Sequence, residues 1–199
     1  MISIAALALL LALSCNAVGC ATVVHPPKQV QTPARVYLAD YGKHTSLLMP
    51  TQRGGRDMLV EYAFGDLAYF RDNRTSPLYA AWAVAIPTAG TLGRRFVPHA
   101  ADEADLARNL WGPSVTSLVV DRDEVVELAA SLNERFRAGG EPQYNPRTRL
   151  HHVRSRSVYH GLWNCNHVLA RWLRRLDCRV VGLAMFSNFT VAAEKETQP

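Results

Sequence analysis

The sequence predicts an α+β domain in which an antiparallel sheet packs against one strongly amphipathic helix. Three observations carry that expectation. Three short segments in a row are rich in strand formers and are separated by turn residues, the pattern of a β-meander. From Cys165 onward, apolar residues recur at Val168, Leu169, Trp172, Leu173 and Leu176, the offsets of a helix with one buried face. Asp121 and Glu124 have the spacing of a capping box and announce a second helix.

In chain order, Arg35 to Ala39 alternates as a strand, Asp40-Tyr41-Gly42 turns, and His44 to Met49 returns. Pro50 to Arg56 is a loop. Met58 to Phe64 is the third strand, closed by Gly65-Asp66. Pro77 to Ile86 reads as a helix that Pro87 ends. Ser114 to Val120 is a fourth strand. The helix capped by Asp121 repeats Val125, Leu128, Ala129, Leu132 and Phe136 on one face until Gly139-Gly140 stops it. Glu141 to Val158 holds two prolines and many basic residues and is expected to be irregular. Arg179 to Leu183 is a short strand before a polar tail.

Composition bounds the function classes. At 48% hydrophobic and 20% charged, the chain is an ordinary globular one. Its formal net charge is +5, and between Arg147 and Arg179 eight arginines stand against a single acid, Asp177. Such a block suits an anionic lipid or an anionic cell-wall polymer. No Cys-x-x-Cys or His-Glu-x-x-His spacing occurs, so neither a metal nor a cofactor is expected; adjacent His151 and His152, with His160, Cys165 or His167, make a poor closed site.

The first twenty residues, MISIAALALLLALSCNAVGC, hold an uncharged apolar run with the character of a signal-peptide core. Ala17-Val18-Gly19-Cys20 resembles a bacterial lipobox, which implies cleavage before Cys20 and lipidation of its thiol. Cys15 is a second candidate, and an uncleaved anchor is the rival reading. No Lys or Arg precedes the run. The expected organisation is a signal peptide over 1–19, a lipid-anchored tether over 20–34 and one domain over 35–199. An exported lipoprotein facing the periplasm has a membrane partner through Cys20 and no nucleic-acid partner.

Asn164 is a good N-cap, which sets Cys165 in the first helical turn. A thiolate there is favoured by the helix dipole and by unpaired N–H groups, which also suit an oxyanion. A thiol nucleophile needs a base. Of the seven histidines, at 25, 44, 99, 151, 152, 160 and 167, His44 is the best placed, opening a strand after a tight turn. His167 lies two residues beyond Cys165 and points roughly 200° away around the helix axis.

The segment WNCNHVLARWL resembles the Asn-Cys-x-His helix start of the circularly permuted papain-like superfamily, which includes NlpC-type cell-wall peptidases and lecithin:retinol acyltransferase-like enzymes. The run from Arg35 to Gly182 is similar to a bacterial envelope family of unknown function with three ordered motifs. Here they read Gly42-Lys43-His44-Thr45, Val60 to Asp66 (VEYAFGD) and Asn164-Cys165-Asn166-His167. His167 stands where members often have Thr, and Ala63-Phe64 replaces Gly-Trp. The resemblance implies a permuted papain-like fold with Cys165 as nucleophile and His44 as base. It also implies Glu61 as the orienting acid, with Asp66 second. The implied activity is a thiol hydrolase or acyltransferase acting on a wall-peptide amide or a lipid acyl ester. The alternative is a non-catalytic envelope lipoprotein that keeps the fold for binding or structure.

Overall fold

The computed structural model describes residues 21–193. The signal-peptide reading of 1–19 and the lipidated Cys20 lie outside the described residues. The fold is α+β. Seven strands form one sheet in the order β6-β2-β3-β4-β5-β8-β7, and every neighbouring pair in it is antiparallel. Its strands are β2 (Pro33–Asp40), β3 (Thr45–Arg53), β4 (Arg56–Asp66), β5 (Thr88–Pro98), β6 (Ser114–Asp121), β7 (Gln143–Asn145) and β8 (Leu150–Tyr159). The expected meander is its centre: β2, β3 and β4 pair in sequence, and β5 extends it.

Five helices are described: α1 (Leu67–Phe70), α2 (Pro77–Ala85), α3 (Glu103–Asn109), α4 (Arg122–Ala138) and α5 (Cys165–Arg175). Capping chemistry sets the start of each of the five. Asp66, Ser76, Asp102, Asp121 and Asn164 each accept a backbone N–H of the turn that follows. No described helix is long and apolar enough to cross a membrane.

The sheet buries both faces. On one, α4 and α5 press Leu128, Leu132, Leu169 and Leu173 against Leu47, Met49, Tyr62 and Phe64. On the other, Leu106 and Leu110 from α3 and the residue after it join Tyr37, Leu48, Leu59 and Val97 in a smaller core. Central strand β3 is therefore buried throughout Thr45–Met49.

Several stretches depart from expectation, and Pro50–Arg56, expected as a loop, is strand except for the Gly54-Gly55 turn. The segment 20–34, expected as a lipid-anchored tether, forms a strand over Thr22–His25 and enters β2 at Pro33. The former is β1, which pairs with β9 (Arg179–Val181) and β10 (Phe189–Val191) and buries Val24 completely. Four residues are too few to show a period, but two partner strands satisfy their backbone. Glu141–Val158, expected to be irregular, contains β7 and most of β8. Its buried positions include Leu150, His152 and Val153, while basic residues on the exposed side hide the alternation. Strand β5 is interrupted at Ala89/Thr91 by an irregularity centred on Gly90. A Cβ at Gly90 would stand 2.3 Å from the Ser157 carbonyl oxygen and 2.8 Å from the Phe64 ring, so only glycine permits this approach.

Candidate functional site

Helix α5 starts as its sequence dictates. Asn164 is extended, and its Oδ1 accepts the N–H groups of Asn166 (2.9 Å) and His167 (3.2 Å). Its Nδ2 donates to the Met185 carbonyl at 3.1 Å, tying the cap to the loop after β9. Cys165 is the first helical residue and is only 5% exposed. Burial pushes its thiol up to about 11, more than the nearby Asn166 and Cys165 N–H groups pull it down. Tyr159 is its titratable neighbour, itself raised by burial first and then by Cys165 and Asp66. Cys178 is also free and buried, its thiol raised by burial and by Asp177 to about 12.

His44 closes a two-residue hairpin turn. Gly42 takes φ +84°, which suits glycine, and the Tyr41 N–H donates to the His44 carbonyl at 2.8 Å. The imidazole is buried against Phe70, centroids 5.1 Å apart, with Nε2 3.2 Å from Ser46 Oγ. Its Nδ1 has no hydrogen-bond partner. Burial alone lowers the ring's pKa to about 4, so it is neutral at pH 7.

Strand geometry decides the relation between these two residues. Neighbours along a strand alternate faces, and cross-strand partners share one. Leu47 pairs with Tyr62 and Met49 with Val60, all in the core beneath α5. Leu48 pairs with Tyr37 and Glu61 and belongs to the opposite core. Ser46 shares the side of Leu48, and His44 turns its imidazole to Ser46. Cys165 continues the buried stripe of α5, beside Tyr159, whose ring lies 6.3 Å from that of Phe64. The helix that carries the thiol therefore packs on the Leu47 face, while the imidazole turns to Ser46 on the Leu48 face. No hydrogen bond joins thiol and imidazole.

The two acids have other partners. Glu61, 1% exposed, pairs with the Arg95 guanidinium and accepts the Tyr41 hydroxyl at 3.0 Å. It shares a face with His44 but makes no hydrogen bond to it. Asp66 caps α1 through the Tyr69 N–H at 2.7 Å and accepts the hydroxyls of Tyr79 and Thr88. That is a structural junction between α1, α2 and β5.

A buried histidine outside the sequence-predicted set joins His44 on its face. His152 Nε2 lies 2.7 Å from Thr148 Oγ1, and Nδ1 3.4 Å from Thr91 Oγ1. Burial first, then the neighbouring His44, Arg71, Arg147 and His151, lower its pKa to about 4. Its alternation with exposed His151 was the available signal in the sequence. Among the described residues, no three His, Cys, Asp or Glu side chains cluster so as to hold a metal ion. A cleft of about 720 Å³ opens at the other end of the sheet, and neither Cys165 nor His44 lines it.

Compared with protein-family models, with curated proteins and with solved structures, the chain matches none. The papain-like resemblance rests on its three motifs.

Proposed function

We propose that this chain is a membrane-anchored envelope lipoprotein whose domain keeps a permuted papain-like fold as a non-catalytic binding module. One observation carries the reading: the His44 imidazole turns to Ser46 and makes no hydrogen bond to the Cys165 thiol, while the helix that carries the thiol packs against the other set of β3 residues. Interchanging faces would require a one-residue slip of β3, which would turn Leu47 and Met49 out of the main core. The raised thiol pKa and the small exposure of Cys165 support the same reading.

A thiol hydrolase or acyltransferase is the second reading, and one feature favours it. The Cys165 and Asn166 N–H groups at the start of α5 lower the thiol pKa, and the Cys165 N–H, unlike that of Asn166, is not taken up by the Asn164 cap and would suit a carbonyl oxyanion. The two readings separate in one experiment. The protein is incubated with a p-nitrophenyl ester and with cell-envelope extract, then analysed by intact mass. The binding-module reading expects no acyl adduct on Cys165. An adduct present in the wild type and absent in Cys165→Ser establishes the enzyme instead.

Anchoring is tested separately. The Cys20→Ser protein is expected to leave the membrane fraction or to accumulate as uncleaved precursor, with loss of palmitate label. Equal palmitate incorporation in Cys20→Ser contradicts lipidation at that residue.

A further inference from the structure

At the end of the sheet away from His44, β5 outruns its neighbour. Its ladder with β8 stops at Arg94↔His151, while its ladder with β4 runs on to Met58↔Pro98. The cleft of about 720 Å³ lies along this uncovered edge. Arg53, Arg94, Arg95 and Arg149 line it, with Trp111 at its rim, and no carboxylate lines it.

Aromatic rings lie beneath all four guanidinium groups, with Arg95 5.4 Å from the Trp111 centroid. Arg53 sits 4.2 Å from the Phe96 centroid, Arg94 3.9 Å from that of Phe136, and Arg149 3.5 Å from that of Trp111. Arg95 is paired with Glu61. Among the described residues, Arg53, Arg94 and Arg149 make no salt bridge. Arg94 Nη1 donates to Asn133 Oδ1 at 2.7 Å, whereas stacking leaves the N–H edges of Arg53 and Arg149 for an anion. Arg149 Nη1 is buried and has no hydrogen-bond partner.

The backbone points the same way. Trp111 (φ +68°) and Arg149 (φ +57°) are both in the left-handed region without being glycine. Such conformations persist where the surroundings impose them and gather at ligand sites. Here the two strained residues form one contact with each other.

We propose that this cleft binds a phosphorylated ligand through a phosphomonoester or diphosphate group. Two guanidinium groups with uncommitted donors, and Arg94 beside them without a counter-charge, exceed what one carboxylate neutralises, and forked N–H donors match phosphate oxygens. The proposal rests on the binding-module reading and names the ligand class. It would nonetheless survive the discovery of an acyl adduct on Cys165.

The test is calorimetry on the full chain in detergent, titrated with inorganic pyrophosphate and, separately, with micelles containing phosphatidic acid. Saturable binding is expected, weakened about tenfold by Arg53→Gln and again by Arg149→Gln. Binding of pyrophosphate marks a soluble phosphate ester as the ligand; binding only of phosphatidic acid micelles marks a lipid headgroup. Arg53 is exposed at the end of β3, so Arg53→Gln leaves the fold intact whatever Arg149→Gln does. Absence of binding to both probes overturns the proposal, as does binding that Arg53→Gln leaves unchanged.

Discussion

Acidification from pH 7 toward pH 4 is expected to destabilise the folded protein by about 1.4 kcal/mol per pH unit for each of two histidines. His44 and His152 are 8% and 1% exposed, and burial lowers both from 6.5 to about 4. The unfolded chain takes up both protons as pH falls through 6.5, while the folded chain stays neutral until about 4. Their contribution is therefore intact above pH 6.5, declines across that window and levels off below it. Urea unfolding at half-unit intervals measures the slope. His44→Gln, which can still bond to Ser46, is expected to remove about half of it. A stability that stays flat between pH 6.5 and 5 would show that these rings are solvated.

Glu61→Ala is expected to cost about 3–5 kcal/mol of stability, because it leaves the Arg95 guanidinium without its buried counter-charge. Glu61 and Arg95 are 1% and 10% exposed at the side chain, so solvent screens the pair little. The Tyr41 hydroxyl, which also accepts from Arg95 Nη2 at 2.8 Å, loses its acceptor as well. Glu61→Gln keeps the shape and a hydrogen-bonding oxygen and is expected to lose less. Replacing Glu61 and Arg95 together by leucine and methionine is expected to recover most of the loss. Denaturant midpoints for the three variants check this. If Glu61→Ala unfolds at the wild-type midpoint, the pair adds nothing and the acid is free for another role.

The parts of this fold that could be read from sequence are those with a local signature. The hairpin around Gly42, the Asp121 and Asn164 caps and the stripes of α4 and α5 each follow from neighbouring residues. Strand β5 was not legible, since Gly90, Gly93 and the Arg94-Arg95 pair break any alternation and its place depends on β4 and β8. Strand β8 was hidden by its arginines, and β1 by its length. The site was legible as a residue list and not as geometry. Thr45 to Met49 is buried on both sides, so no polar alternation reveals which face meets α5. The orientation of His44 follows from the register of β2, β3 and β4, a long-range property. The arginine cleft joins residues from Arg53 to His151 and carries no contiguous motif.

The proposal that Cys165 and His44 do not act as a pair is tested most directly by the pH profile of Cys165 alkylation by iodoacetamide in the native protein. The rate follows the thiolate, and a thiol near 11 is only about one part in ten thousand ionised at pH 7. The expected profile is slow at neutral pH, climbs through pH 9 without a plateau and is unchanged by His44→Ala, while denaturation accelerates labelling. Fast labelling at pH 7 with a plateau below pH 7.5, abolished by His44→Ala, would put the imidazole beside the thiol and contradict the account.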